Sequence, residues 1–270
     1  MNFSVLISCY FRDNPQELLV ALKSIWDEQT LKPNEIVIVK DGPLTAELDQ
    51  VIAEFSGNAP VKIVALAQNE GLGKALAKGV QECSCEYIAR MDSDDISVPE
   101  RFAKQAAFME ADPEVVICGG MILEFKKNLN EIIGKRVLPV SDEEIRRFAH
   151  KRSPFNHVTV MFKKQAVIDA GNYEHLLSYE DFWLWCRMLA NGGKCGNLPD
   201  TLVYVKAGEN MLVRRRGWKL ACSEVKLAWK MYKIGILSFC EMLRNLILRT
   251  TIRLMPVGIL KVVYSHLREK

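Results

Sequence analysis

The stretch Tyr87-Ile-Ala-Arg-Met-Asp-Ser-Asp-Asp95 runs from an apolar, strand-like segment straight into three carboxylates, Asp92, Asp94 and Asp95. Carboxylates this close repel one another unless a cation offsets them. Oxygen ligands of this kind suit a hard divalent ion such as Mg²⁺ or Mn²⁺, and such ions commonly hold phosphates. The stretch therefore reads as the end of a strand that meets a metal and a phosphorylated ligand. The bland alternative is an acidic loop before the helix that Pro99 would open.

The preceding chain alternates strand and helix patterns. Phe3–Cys9, Glu35–Val39, Val61–Leu66 and Tyr87–Met91 read as strands, with a further one at Val115–Cys118. Between them lie helices at about 15–26, 45–55, 72–82 and 99–111. The first carries Asn14 as N-cap, Pro15 at its first position and Glu17 near its positive end. This order predicts an α/β fold with a mostly parallel sheet and helices on both faces. Ligands of such sheets bind at the carboxyl ends of the strands. Three polar segments fall there: Ser8 to Arg12, Asp41, and Asp92–Asp95. Further on, Val158–Phe162 reads as a strand, Gly171 ends a short helix and Glu180 to Ala190 forms another. From Trp218 the chain is apolar and basic at helical spacing, with a break near Met255-Pro256.

The net charge of +3 is unevenly spread. Residues 206–270 carry fourteen Lys/Arg against four Glu, or +10, and residues 1–205 carry −7. An acidic body with a basic tail points to nucleic acid, anionic lipid or a polyanionic ligand. No nucleic-acid module or aromatic–basic motif is present, which argues against the first. The tail, Trp218 to Lys270, suits a basic amphipathic helix on an anionic membrane, against the alternative of helices packed on protein. No apolar run reaches the ~20 residues of a membrane span. The N-terminus lacks a signal-peptide pattern, so a cytoplasmic location is expected, with the eight cysteines reduced.

Several ordered motifs carry a resemblance. Ser4-Val-Leu-Ile-Ser-Cys-Tyr10, Ala21-Leu-x-Ser-Ile25 through Gln29-Thr30, and Val37-Ile-Val-x-Asp41-Gly42 are followed by Asn69-x-Gly-Leu72. Asp92-Ser-Asp-Asp95 with Pro99-x-Arg101, then Glu180-Asp181-x-x-Leu-Trp185, complete the set. Together they resemble family 2 glycosyltransferases of the GT-A fold over residues 3 to 205. The tail resembles bacterial exopolysaccharide transferases of the amylovoran-synthesis type. The resemblance implies a GT-A domain at 1–205, and the charge and spacing of the tail make 206–270 a basic helical extension. It implies an inverting glycosyltransferase that moves a sugar from a nucleotide-sugar donor, with a UDP preference, to a saccharide acceptor. A lipid-linked acceptor and a peripheral position at the inner face of the cytoplasmic membrane follow from the same resemblance, in exopolysaccharide, capsule or O-antigen synthesis.

In family terms Asp41 accepts a hydrogen bond from the uracil ring, although Asp-Gly alone is an ordinary turn. The family often has two acids where this chain has Lys40-Asp41. Ser8, Tyr10, Asn69, Gly71, Lys74, Asp92 and Asp94 are assigned to the nucleotide-sugar, with Asp94 at the ribose side. Asp95, with Asp94, is assigned to the divalent metal. Asp181 is assigned as catalytic base, although an acidic pair at a helix start also serves as a cap. Glu180, His157, Trp185 and Arg215 form a second tier near the acceptor or diphosphate. For Trp185, helical spacing makes core packing an equal alternative to sugar stacking. Two rivals stand beside the transferase. A sugar-phosphate nucleotidylyltransferase would need a glycine-rich loop after the first strand, where this chain has Ser8-Cys-Tyr-Phe-Arg12. A membrane-bound scaffold without catalysis would not need all the carboxylates.

Overall fold

The structure is a computed structural model, and it describes residues 1–207 and 217–254. Four strands, β1 (Phe3–Cys9), β2 (Glu35–Lys40), β3 (Val61–Ala65) and β4 (Tyr87–Met91), form a parallel block in the order β3-β2-β1-β4. The helices between them are α1 (Pro15–Ile25), α2 (Ala46–Ser56) and α3 (Leu72–Glu82). Alternate residues face opposite sides of a strand, and two cores result. Leu6, Val37, Val39 and Ile88 feed one, and Val5, Ile7, Ile36 and Ile38 feed the other. Burial on both faces explains why these strands read as continuous apolar runs. The side chain of Asn14 caps α1 by accepting from the backbone N–H groups of Gln16 and Glu17. Helix α3 lies close on the sheet at Gly79, where a Cβ would sit 2.3 Å from Leu6 Cδ1.

Beyond β4 the sheet becomes mixed. A two-residue β5 (Ile96–Ser97) leads to α4 (Arg101–Ala111), which starts just after Pro99. Strand β6 (Val115–Phe125) runs far past the expected Cys118 and pairs antiparallel with β7 (Ile132–Arg136). Helix α5 (Asp142–Ala149) comes next, opened by a Ser141–Glu144 capping box. The segment expected as a strand at Val158–Phe162 divides into a 3-10 turn (His157–Thr159) and a short β8 (Met161–Lys163). Strand β8 lies antiparallel between β4 and β6. Helices α6 (Lys164–Asp169) and α7 (Glu180–Ala190) precede the long β9 (Lys194–Lys206), which pairs parallel with β6 and antiparallel with β5. The sequence disguised β9 because Pro199 falls within it, and register shifts near Gly119 and Met121 break its ladder with β6.

The tail forms α8 (Trp218–Lys233) and α9 (Phe239–Leu254), separated at Gly235, whose φ is +78°. The expected break at Met255-Pro256 lies outside the described residues. One face of this pair packs inward: Leu227, Ala228, Met231, Leu237 and Met242 join the core that holds Trp185. The other face stays open, with Trp218, Val225 and Trp229 on α8 and Leu243, Ile247 and Leu248 on α9. No helix among the described residues is long and apolar enough to cross a membrane.

Candidate active site

The polar segments after β1, β2 and β4 meet at one edge of the parallel block. Asp41 is buried there at the end of β2. Its carboxylate accepts from the backbone N–H groups of Glu70 (2.7 Å) and Gly71 (3.0 Å) and from Asn69 Nδ2 (3.1 Å). Gly42 makes this approach possible: its φ is +88°, and a Cβ there would lie 2.6 Å from the Asn69 nitrogen. Asp41, Asn69 and Gly71 are thus one unit, in which Asp41 organises the loop ahead of α3. An ionised carboxylate has about four acceptor positions, so one remains open. Lys74 stands further out, exposed and paired with Glu70 at 3.3 Å. Ser8 is half-buried and Tyr10 is exposed.

The acidic cluster sits beside them. Asp92 pairs with the buried Arg90. Asp95 is 3% exposed and accepts from the Lys206 backbone N–H at 3.0 Å. Asp94 is exposed to water, although the surrounding chain thins the hydration of its carboxyl. That desolvation, reinforced by the charges of Asp92 and Asp13, pushes its carboxyl up to about 6. Burial first, and then Asp92 and Asp94, drives Asp95 well above the ordinary carboxylate range. Asp13 joins the cluster unforeseen: Ser93 donates to it at 2.8 Å and the Tyr10 backbone N–H at 3.1 Å. Crowded carboxylates with raised pKa values are the donor set a hard cation relieves. Among the described residues no three acidic, His or Cys side chains are arranged to hold a metal on their own.

Asp181 lies in the first turn of α7, within the field of Arg90. Desolvation raises its pKa, against the Phe182 backbone N–H and the charges of Arg136 and Arg90. Glu180 packs on the start of α3, where a Cβ on Gly73 would meet Glu180 Cγ at 2.9 Å. His157 shares a 3.0 Å hydrogen bond with the Tyr173 hydroxyl. Burial, then the field of Arg90, holds its pKa well below the ordinary histidine range, so it is neutral. Trp185 requires a correction. It is 0% exposed and packed edge-on against Phe155, His157 and Tyr173, so it offers no face to a sugar. It supports His157 from beneath. Arg215 lies outside the described residues.

A cavity of about 670 Å³ opens at Asp181, lined by Glu124 of β6, Arg136 of β7 and the start of α7 and, from the tail helices, by Leu220, Glu224 and Arg249. A second cavity, about 590 Å³, is lined by Met1, Ser84 and Tyr87 and lies away from the carboxylates. In the Asp181 cavity Glu224 is 2% exposed and is held by Arg249 (2.7 Å), by Arg253 (3.0 Å) and by the Tyr179 hydroxyl. Tyr179 is the residue before α7, so this network ties the tail to the helix that carries Asp181. Arg90 had a visible signal in the sequence, a charge inside a buried strand. Glu224, Arg249 and Arg253 had none, because only folding brings them to Tyr179.

Comparison with known proteins agrees with this geometry. Residues 4–177 match the model of Glycosyl transferase family 2. The chain is 46% identical to an uncharacterized glycosyltransferase of Haemophilus influenzae, over all of both chains. It is 42% identical to the amylovoran biosynthesis glycosyltransferase AmsE of Erwinia amylovora, over 99% of each. It is 35% identical to the UDP-Gal:alpha-D-GlcNAc-diphosphoundecaprenol beta-1,3-galactosyltransferase of Escherichia coli, over 97% of this chain and 95% of that one. Among solved structures, S. aureus TarS 1-349 in complex with UDP-GlcNAc aligns with a TM-score of 0.66 at 20% identity, over 93% of this chain and 73% of that one. This chain spans 44% of the longer TarS chain. That likeness concerns fold alone, and it is the fold the parallel block and its mixed extension describe. The chain belongs to Glycosyl transferase family 2 and is a glycosyltransferase of the GT-A fold.

Proposed function

We propose that the chain transfers a sugar from a UDP-sugar to a lipid-linked saccharide in bacterial polysaccharide synthesis, by one inverting displacement. The observation that carries this reading is that buried Arg90 pairs with Asp92 and that its charge acts both on Asp94 and Asp95 after β4 and on Asp181 at the start of α7. The 35% identical Escherichia coli relative, named for a UDP-sugar donor and a diphosphoundecaprenol acceptor, supports the choice of substrates.

In this reading Asp41 uses its open acceptor position toward the uracil, while Asn69 and Gly71 shape the loop around it. Ser8, Tyr10, Asp92 and Asp94 line the rest of the donor site, with Lys74 at its edge. Asp94 and Asp95 hold Mn²⁺ or Mg²⁺, which when bound offsets the charge that grows on the diphosphate leaving group. Asp181 accepts the proton of the acceptor hydroxyl as that oxygen bonds to the anomeric carbon. The bond from that carbon to the donor phosphate breaks, and its electron pair leaves with the diphosphate. The raised pKa of Asp181 strengthens it as a base. Neutral His157 and Glu180 flank the acceptor without exchanging its proton.

The open apolar faces of α8 and α9, set among Lys219, Lys226, Lys233 and Arg244, support attachment to an anionic membrane surface. The acceptor reading puts that surface at the inner face of the cytoplasmic membrane, with residues 1–205 as the transferase body and 206–270 as its extension.

Thermal stabilisation by UDP, GDP, ADP and CMP, each with and without Mn²⁺, tests the donor side, because a ligand of the native state raises the melting point. A UDP-specific, Mn²⁺-dependent rise that Asp95→Asn removes is the expected result. A rise specific to GDP would overturn the donor, and UDP stabilisation equal with and without metal would overturn the metal site.

A further inference from the structure

We infer that the cavity at Asp181 contains a subsite for the diphosphate of a lipid-linked acceptor, formed by Lys151 and Arg152. The inference rests on the proposed lipid-linked acceptor and adds the residues that grip that acceptor beyond its sugar.

Both residues line the same cavity as Asp181. They come directly after α5, where their backbone N–H groups donate to the Phe148 carbonyl and fix the turn. Both side chains are exposed, and neither is paired with a carboxylate among the described residues. Arg152 lies over the Phe148 ring at 4.9 Å, which leaves its guanidinium edge for an oxyanion. The other charges of the cavity are arranged differently. Glu224 is already matched by Arg249 and Arg253, and the charge of Arg136, which lines the same cavity, acts on Asp181. Among the described residues Lys151 and Arg152 thus bring adjacent cations without a carboxylate partner to this cavity, and a diphosphate brings the charge they lack.

The neighbouring surface suits the prenyl chain of such an acceptor. Helix α9 is bonded beside these two residues: Asn245 donates to the His150 carbonyl and Arg249 to the Lys151 carbonyl, both at 2.8 Å. Between these two anchors α9 turns Ile247 (68% exposed) and Leu248 (57%) outward, with Leu243 one turn earlier. A base, a cationic pair and an apolar stripe thus succeed one another. That is the order of a sugar, a diphosphate and a prenyl chain.

The bland reading is that Lys151 and Arg152 complement the negative end of α5. It predicts a loss of melting temperature and no change in ligand affinity. The test titrates farnesyl diphosphate, a short prenyl diphosphate, by calorimetry into the full chain saturated with UDP. Wild type is compared with the double variant Lys151→Ala/Arg152→Ala and with the charge-keeping Lys151→Arg/Arg152→Lys. We expect the alanine pair to weaken the probe about tenfold and the charge-keeping pair to retain it. UDP affinity, measured alongside, stays at the wild-type value. Unaltered probe affinity in the alanine pair overturns the subsite and leaves the UDP-dependent transferase standing. A parallel arm measures binding to phosphatidylglycerol vesicles. An equal loss there would assign the two residues to the bilayer surface and overturn the subsite as well. Failure of wild type to bind UDP would instead count against the donor reading, which the two variants do not touch.

Discussion

The acidic cluster after β4 and the Glu224 network behind α7 use charge in different ways. On the β4 side three carboxylates and Asp13 crowd together, and Asp94 and Asp95 carry raised pKa values. Beside α7, Asp181 also carries a raised pKa, but the buried carboxylate of the tail, Glu224, is matched in place by two arginines and a tyrosine. The first region is left with an excess of negative charge. The second is closed electrostatically around Glu224. An unbalanced site responds to what binds it, whereas a balanced network holds geometry.

The largest effect should come from Asp181→Asn. Loss of the base lowers kcat about a thousandfold and leaves UDP affinity intact, as kinetics and a binding titration on one preparation would show. Unaltered turnover would break the comparison, because Asp181 would then be a cap alone. Next comes Glu224→Ala, which strands Arg249 and Arg253 beside a buried gap. It should cost about 3 kcal/mol of stability, read as a lower urea midpoint. An unchanged midpoint would mean that the network does not hold the tail.

On the unbalanced side the effects are smaller and depend on ligand. Asp95→Asn should weaken UDP about tenfold in Mn²⁺ and leave the metal-free affinity unchanged. The smallest effect is one of pH. Asp94 titrates at about 6 in the native protein, against an ordinary 3.8. Between these values the native state keeps a proton that the unfolded chain releases. Its contribution to stability is therefore present at low pH and lost as pH rises through 6. Mn²⁺ competes with the same proton, so stabilisation by Mn²⁺ and UDP should grow from pH 5 to pH 7. Asp94→Asn should flatten that rise, and its own effect on stability should stay within about 0.5 kcal/mol because solvent screens the site. A rise that persists in the variant would move the titration to another group.

The contrast also explains what could be read from the chain. Asp92, Asp94 and Asp95 fall within four positions after a strand, so their common site is evident from local pattern. The parallel block was equally legible, because each of its strands is a short apolar run with a helix after it. The region around Glu224 is assembled from β6, α5, α7, α8 and α9, and no local spacing announces it. Strand β9 escaped for a related reason: Pro199 and the interrupted β6 ladder hide a long pairing that only the fold makes evident. Trp185 shows the limit at a single residue. Its place on an acidic-headed helix fitted both a sugar platform and a core ring, and burial among Phe155, His157 and Tyr173 decides for the core.

The bond between Tyr179 and the Glu224–Arg253 pair has a consequence for how such genes recombine. A crossover near codon 206 joins one parent's Tyr179 to the other parent's Glu224, Arg249 and Arg253. The hybrid inherits two halves of one buried arrangement, and it stays sound only where both parents carry matching halves. A crossover upstream of codon 179 moves the whole set together. Shuffled libraries of these transferases should therefore yield working hybrids at upstream junctions more often than at the boundary that the charge of the tail makes conspicuous.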